Sequence, residues 1–189
     1  MFISYKKLTR EGIIFAAMEM IENTEDHKVS LRQLAKKLDV KAPSLYNYFA
    51  GFDELIEEVQ VRIFQQITKK VMYSIAGKSG REAFMCAGRS WVRYGLENPA
   101  LYQWISWENL HLTEEGKLFI SAFINIFQQY NFSEEILSDV MRTVRSYVHG
   151  FTSLSIQLNS LNNDEGRLSK SFMYGMEIIY SGIISQPLE

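Results

Sequence analysis

The sequence SLRQLAKKLDVKAPSLYNYF, residues 30–49, decides the fold of the N-terminal part of the chain. Its first half places apolar side chains at the i, i+3, i+4 and i+7 spacing of one helix face, at Leu31, Leu34, Ala35 and Leu38. Ser30 and Gln33 form a capping box at the start of this helix. Asp39 begins an interruption, after which the pattern restarts with Pro43 in a first turn, where a missing N–H group costs little. The spacing predicts a helix-turn-helix, an arrangement that commonly places its second helix in the major groove of DNA.

The same segment, LRQLAKKLDVKAPSLYNYF, resembles the DNA-binding head of the TetR family of transcriptional regulators. The family pattern is roughly L-x-x-L-A-x-x-L-G-V-x-x-x-x-L-Y-x-H-F, and the resemblance extends back to the helix LTREGIIFAAMEMIE. It implies an all-α protein with an N-terminal three-helix helix-turn-helix head and a C-terminal helical domain for ligand binding and dimerisation. It also implies a small-molecule effector site in the second domain.

Composition is consistent with such a protein. The 189 residues, 47% of them hydrophobic, can fill one ordinary domain or two small ones. The single cysteine, Cys86, excludes an intramolecular disulfide and fits a reducing cytoplasm. No apolar run reaches the roughly eighteen residues of a membrane span, and the start MFISYKKLTRE lacks the apolar core of a signal peptide. We therefore expect a soluble cytoplasmic protein without a membrane partner.

The charge distribution permits DNA binding. The formal net charge is −2, but residues 1–50 hold eight Lys and Arg against six Asp and Glu, whereas the remainder holds twelve against sixteen. The positive part of the chain is therefore the part with the helix-turn-helix.

A long helix after Gly51 organises the rest of the chain. Its apolar residues recur every four positions, at Leu55, Val59, Ile63, Ile67, Val71 and Ile75. Because each such step overshoots a helical turn by about 40°, the stripe winds around the helix. We interpret residues 52–76 as a connecting helix between a DNA-binding domain, residues 1–51, and an effector-binding and dimerisation domain, residues 52–189. An ordinary helix buried on two sides is the alternative. Further helices are predicted at 81–97, 99–111, 113–130, 133–158 and 168–184.

The second short helix, residues 42–48, turns Leu45 and Phe49 inward and leaves polar groups outward. Lys41 and Asn47 can bond base edges, small apolar groups can contact a thymine methyl, and tyrosine and serine hydroxyls can reach phosphates. The resemblance adds Arg32, which sits where such heads read a base from the preceding helix. The expected DNA-binding residues are Ser30, Arg32, Lys41, Ala42, Pro43, Ser44, Tyr46, Asn47 and Tyr48. For any single residue, an exposed polar side chain without this role is the alternative.

The head departs from the family pattern at three positions. Asp39 replaces the glycine of the turn, and aspartate tolerates left-handed φ well enough for the turn to form. Tyr48 replaces the usual histidine and still offers a hydroxyl. Phe52 stands where relatives commonly carry a lysine, so we expect weaker non-specific DNA binding than in a typical relative.

Aromatic density marks the second domain. Apolar walls with a few polar tips are typical of a small-molecule pocket, although an aromatic stripe at helical spacing is more often plain core. The expected ligand-binding residues are Trp91, Tyr94, Tyr102, Trp107, Glu108, His111, Phe123 and Tyr147.

The last two long helices carry apolar stripes that point to self-association. Glycines cost roughly 1 kcal/mol each inside a helix, so Gly175 and Gly182, seven residues apart, indicate close approach of another helix. The resemblance implies a dimer interface made by these helices. Its expected residues are Phe151, Leu154, Leu158, Phe172, Gly175, Met176, Ile179, Gly182 and Ile183, with packing inside the subunit as the alternative.

Signals for catalysis are weak, and we expect neither an enzyme nor a cofactor or metal. The three histidines have no cysteine or carboxylate partners at metal-ligand spacing, and no G-x-S-x-G or phosphate-loop pattern occurs. The sequence therefore predicts a homodimeric regulator, a repressor released from double-stranded operator DNA by a small apolar or amphipathic ligand. The alternative is a helical small-molecule carrier or sensor whose head has lost DNA recognition.

Overall fold

The computed structural model describes residues 8–24, 27–107, 113–159 and 165–185, and in these ranges all regular structure is helical. The predicted all-α class is confirmed. The helices are α1 (Arg10–Asn23), α2 (Leu31–Lys37), a 3-10 helix (Ala42–Asn47), α3 (Phe52–Ile75), α4 (Gly80–Glu97), α5 (Pro99–Tyr102), α6 (Glu114–Ile126), a 3-10 turn (Gln128–Tyr130), α7 (Glu134–Asn159) and α8 (Glu165–Ile184).

Helix bounds agree with the sequence except at four places. One of them is the helix predicted over residues 113–130, which is divided into α6, ending at Ile126, and the 3-10 turn Gln128–Tyr130. The element after the helix-turn-helix turn is a 3-10 helix rather than an α-helix, and we call it the 42–47 helix. The helix predicted over residues 99–111 ends at Tyr102, where the Trp104 N–H donates to Leu101 O at 3.0 Å and the Ile105 N–H to Tyr102 O at 3.2 Å, and these three-residue turns close it. The last helix begins at Glu165 instead of residue 168.

The chain divides into two compact units. Among the described residues, the first contains those up to Phe64 together with Ala100–Ser106, and the second contains Gln65–Pro99 and those from Trp107 onward. The division therefore falls within α3, whose residues 52–64 pack with the first unit. The functional boundary predicted after residue 51 stays a prediction.

The core of the first unit lies on the faces that the sequence predicted. Side chains from α1, α2, the 42–47 helix and the start of α3 are no more than 8% exposed, among them Ile13, Ala16, Ala17, Met20, Leu34, Leu45, Phe49, Leu55, Val59 and Ile63. Because a small helical unit depends on such burial for its stability, this core fixes how the 42–47 helix is presented.

Aromatic packing fills one part of the second unit. Phe84 meets Phe127 edge to face with ring centroids 5.7 Å apart, and Phe127 in turn packs on Phe123 at 5.3 Å. The Tyr130 and Tyr180 hydroxyls lie 2.8 Å apart and hydrogen-bond to each other. Burial and this hydrogen bond raise the pKa of Tyr180. Phe123, predicted to line a ligand pocket, is thus a core residue that is 8% exposed.

The contact between α7 and α8 corrects several dimer-interface predictions. Phe172 is buried against Tyr147 and Phe151, at centroid distances of 5.6 and 5.0 Å. The Tyr147 hydroxyl donates to the Phe172 carbonyl at 3.0 Å and lies over Gly175, where a Cβ would overlap it. Met176 is also buried within the subunit. Gly175 therefore admits a side chain of its own subunit, the alternative that the sequence left open.

Exposure separates the remaining members of the predicted dimer interface. Ile183 is buried in its own subunit at 6% exposure, which again corrects the prediction. Leu154 and Leu158 are 59% and 53% exposed, and Gly182 is exposed as well. Phe151 and Ile179, the other two members, are half-buried, so the most exposed predicted residues are Leu154, Leu158 and Gly182.

Candidate functional site

The helix-turn-helix is held by local hydrogen bonds. Ser30 Oγ accepts from the Gln33 N–H at 3.3 Å, as the capping box predicts. The Gln33 side chain does not bond back to the Ser30 backbone as such a box would; its Oε1 accepts from the Ser30 hydroxyl at 2.6 Å instead. In the turn, Asp39 has a φ of 54°, so the predicted left-handed aspartate is confirmed. The Val40 N–H then donates to Ala35 O at 3.0 Å. The turn thus forms without the glycine of the family pattern.

One face of this element turns polar side chains to solvent. Leu45 and Phe49 are buried at 1% and 2% exposure, as predicted, whereas Tyr46 is 56% exposed. Of the predicted DNA-binding set, the exposed members are Arg32, Lys41, Pro43, Tyr46 and Asn47, and the half-buried members are Ser30, Ala42, Ser44 and Tyr48. Gln33 and Lys36 are exposed on α2 as well, and the sequence reasoning passed over them.

Tyr48 has a different role from the one predicted. Its hydroxyl donates to the Leu8 carbonyl at 2.8 Å, so it has no second proton to offer to a phosphate oxygen while that bond is made. This corrects its assignment as a phosphate donor. The hydrogen bond instead joins the end of the 42–47 helix to the residues that precede α1.

Arg10 ties three elements of the first unit together, a feature that the sequence reasoning missed. Its guanidinium donates to the Tyr48 carbonyl, to Glu54 at 2.6 Å and to Glu58 at 2.9 Å, and it lies 4.4 Å over the Phe49 ring. The hydrogen bond from Arg10, followed by that from the Ala50 N–H, lowers the pKa of Glu54. The start of α1, the end of the 42–47 helix and the start of α3 are therefore linked through one side chain.

A second link joins the residues after α5 to the loop before α2. Trp104 Nε1 donates to the His27 carbonyl at 3.1 Å, and both residues belong to the first unit. His27 has a φ of 50°, and its Nδ1 lies 3.0 Å from Ile21 O. Three residues later along the chain, Trp107 belongs to the second unit.

In the second unit, Trp107 and Trp91 stack with ring centroids 5.2 Å apart, and Phe119 lies 5.5 Å from Trp91. His149 meets the Trp107 ring edge on at 6.0 Å, and the Arg145 guanidinium lies 5.3 Å over it. Burial, and then the charge of Arg145, lowers the pKa of His149. We call these five residues the aromatic cluster.

The predicted ligand-binding residues are distributed over several places. Trp91 and Trp107 meet in the aromatic cluster, and Tyr94 is buried, with its hydroxyl donating to Gln66 Oε1 at 2.8 Å. Tyr102 is buried in the first unit, and Tyr147 packs on α8. Glu108 and His111 lie outside the described residues. His149 and Arg145 were missing from the predicted set, although their i, i+4 spacing on α7 places them on one face.

The described part of the chain has neither a membrane-spanning helix nor a cluster of metal-ligating side chains. None of its helices is both long and apolar enough to cross a bilayer. No three His, Cys, Asp or Glu side chains within it converge on a position that would hold a metal ion.

The fold and the exposed helix-turn-helix define a class, the helix-turn-helix DNA-binding proteins with an additional helical unit. Residues 13–59 match the family described as bacterial regulatory proteins, tetR family, and residues 84–177 match the tetracyclin repressor-like C-terminal domain. The chain belongs to the TetR family and is a helix-turn-helix transcriptional regulator.

Similar proteins match more than nine-tenths of the chain. The uncharacterized HTH-type transcriptional regulator YobS of Bacillus subtilis (strain 168) is 26% identical over 181 residues, which are 94% of this chain and 93% of that protein. A TetR variant from Acinetobacter baumannii AYE, solved in complex with minocycline, is 18% identical with a TM-score of 0.76 over 93% of this chain and 96% of its own. BioQ, solved with its double-stranded DNA operator, is 22% identical with a TM-score of 0.68 over 95% and 100%. These structures share the fold.

Proposed function

We propose that the protein is a homodimeric repressor that binds a roughly palindromic DNA operator and leaves it when a small apolar or amphipathic ligand binds the second unit. The observation that carries this proposal is the exposed face of the helix-turn-helix, where Arg32, Lys41 and Tyr46 point to solvent while Leu45 is buried. By analogy, BioQ with its operator and the TetR variant with minocycline support a DNA partner and a small-molecule partner.

In this proposal each residue of the reading face has a chemical role. Arg32, Lys41 and Asn47 contact base edges, and Tyr46 contacts a phosphate oxygen. Arg10 positions the 42–47 helix, because it binds the Tyr48 carbonyl at the end of that helix. Two copies of the face must meet half-sites one DNA turn, about 34–36 Å, or a multiple of it apart.

The dimer would form through the exposed apolar side chains of α7 and α8. They include Leu154 and Leu158 on α7, and Tyr174 and Ile178 on α8, which are 59%, 53%, 72% and 56% exposed. Large exposed apolar side chains are a feature of interaction surfaces. Gly182, also exposed, would let a partner helix approach closely.

Ligand binding at or near the aromatic cluster would act on the head along two parts of the chain. One is α3, a single helix with residues in both units. The other is the segment that runs from Trp104, bonded to His27, to Trp107, stacked on Trp91. Suppose that the dimer has one state whose head spacing fits the operator and another whose head spacing does not. A ligand that binds the second state more tightly lowers operator affinity, by at most the ratio of its affinities for the two states.

Fluorescence anisotropy on the DNA upstream of the protein's own gene tests the reading face. Arg32→Ala, Lys41→Ala and Tyr46→Ala are each expected to weaken specific binding by roughly 5- to 150-fold, since a lost base contact costs about 1–3 kcal/mol. The matched control is Lys78→Ala, an exposed lysine in the loop after α3, which should leave affinity unchanged. Specific binding that survives all three substitutions would refute the assigned face.

Distances between the two heads test the release mechanism. Spin labels at Asp53→Cys, an exposed position at the start of α3, in a Cys86→Ser background would report the head-to-head distance by double electron–electron resonance. We expect a ligand that lowers operator affinity to shift this distance. Loss of affinity at an unchanged distance would contradict the proposed mechanism while leaving DNA binding intact.

A further inference from the structure

A groove in the second unit lies between α3 and α6, apart from the aromatic cluster. Its volume is about 410 Å³, within the range of roughly 300–1,000 Å³ typical of small-molecule sites. The lining side chains come from one face of α3 and the first turns of α6: Gln65, Thr68, Lys69, Met72, Tyr73, Glu115 and Leu118.

The groove uses the outer face of α3. Gln65, Lys69 and Met72 follow the i, i+4, i+7 spacing of one helix face. Ile67 and Val71, offset from them by two positions, are buried at 0% and 3% exposure on the opposite side. A ligand in the groove would therefore lie on the side of α3 away from Ile67 and Val71.

Thr68 is the unusual polar group of this groove. The residue is 3% exposed, yet its Oγ1 has no hydrogen-bond partner within the described part of the chain. A buried threonine hydroxyl in a helix ordinarily bonds the carbonyl four residues earlier, and leaving it unpaired is costly. Such a group calls for an explanation, and a bound ligand that accepts its hydrogen bond supplies one.

Charge defines the kind of ligand. Lys69 is exposed and makes no ion pair with any residue in the described ranges, so its ammonium group is available. Glu115 is held by Gln65, whose Nε2 donates to its Oε1 at 2.7 Å, and it would repel a second negative charge. Met72, the half-exposed Leu118 and the ring of Tyr73 supply apolar surface.

We propose that this groove binds a small amphipathic carboxylate, one negative charge on an apolar body. The carboxylate accepts from the Thr68 hydroxyl and the Lys69 ammonium group, and the apolar body lies on Met72 and Leu118. A bound ligand bridges α3 and α6 within the second unit and so restrains the part of α3 that begins at Gln65. The site does not depend on DNA binding, so its failure and the failure of the proposed function are separate results.

Octanoate is a suitable probe, with octanol and octylammonium as its neutral and cationic counterparts. The protein, labelled with ¹³C at its methionine methyl groups, would be titrated with each compound and followed by NMR, and Met72→Leu would assign the Met72 signal. Octanoate is expected to shift the Met72 signal saturably and to bind more tightly than the other two compounds. Met85 and Met176, which are buried, should not move.

Two substitutions separate the roles of the charge and the hydroxyl. Lys69→Gln should weaken octanoate binding about fivefold, the size expected of an exposed ion pair, whereas Lys78→Gln, its matched control, should not. Thr68→Val should weaken binding about five- to tenfold and yet raise the melting temperature of the free protein by about 2–4 °C, because it removes an unpaired buried hydroxyl without changing the side-chain shape.

Thr68→Val is the decisive variant, because it should lower octanoate affinity while raising the melting temperature of the free protein. If Thr68 had only a structural role, this substitution would not weaken octanoate binding. The proposal is overturned if the Met72 signal does not move. It is also overturned if octanol or octylammonium binds as well as octanoate, or if neither substitution weakens binding.

Discussion

Replacing Gly175 by alanine is expected to destabilise the subunit, because the new methyl group would enter space that Tyr147 already occupies. A Cβ at residue 175 would overlap the Tyr147 hydroxyl and come within 2.9 Å of its ring atom Cε2. The ring is rigid and stacked on Phe172, so it cannot move aside without losing that contact. The glycine is therefore required by a contact inside the subunit.

The size of the effect follows from three contributions. Alanine gains about 1 kcal/mol over glycine in helix propensity. Overpacking costs about 1–3 kcal/mol, and loss of the hydrogen bond from Tyr147 to the Phe172 carbonyl costs about 1 kcal/mol. The net destabilisation of about 1–3 kcal/mol should lower the melting temperature by about 2–12 °C in a chain of this size.

Thermal unfolding at several protein concentrations measures this effect and locates its cause. The matched control is Gly150→Ala in α7, where a Cβ meets nothing within 4 Å in the described part of the chain. This control should gain about 1 kcal/mol and melt about 2–4 °C higher. A defect inside the subunit lowers the melting temperature equally at all concentrations, whereas a defect in the dimer interface acts most strongly on dilute protein. If Gly175→Ala melts as high as the control, or loses stability only when dilute, the reasoning is refuted.

Arg10→Met is expected to weaken operator binding by about 5- to 30-fold, because it frees the end of the 42–47 helix from α3. The effect is limited because the Arg10 side chain is 41% exposed and its ion pairs are partly screened by solvent. An anisotropy titration that shows no change in operator affinity would contradict this positioning role. Glu54, whose pKa is lowered chiefly by Arg10, contributes stability that is present above its unfolded value near 4.5 and lost as the pH falls through the lower folded value. Unfolding curves from pH 6 to pH 3 should therefore be flatter for Glu54→Gln than for the native protein, and equal slopes would argue against the ion pair. His149, whose pKa is lowered by burial, favours folding in its neutral form, so stability should fall below about pH 6.5. His149→Gln should abolish the loss between pH 7 and pH 5 in urea unfolding, and a loss that persists would place its cause elsewhere.

Local signals in the sequence were sufficient for the helix-turn-helix. The apolar spacing of α2 and the preference of aspartate for left-handed turns act within a few residues, and the structure confirms both the buried face and the φ of Asp39. The winding stripe of α3 lies on a helix whose residues fall in two compact units, and its role as a connecting helix stays a prediction. Patterns of this kind depend on backbone geometry alone.

The missed features depend on residues far apart in the chain. The Tyr48 hydroxyl finds its acceptor at Leu8, and Arg10 finds Glu54 and Glu58, and no spacing rule links such positions. On α8, apolar residues recur at helical spacing on two faces: one that packs against the rest of the subunit and one that is exposed. Periodicity shows that Phe172 is apolar and suitably spaced, but it cannot tell which partner covers it.

The interruption of the first unit along the chain has a practical consequence for protein engineering. Trp104 and its neighbours belong to the same compact unit as the head although they follow it by some forty residues, and Ala100, Leu101 and Tyr102 are buried. A fragment cut after Phe64 would lose this segment and expose the apolar surface that it covers. Chimaeric regulators should therefore exchange both pieces, residues 8–64 and 100–106, or leave the subunit whole.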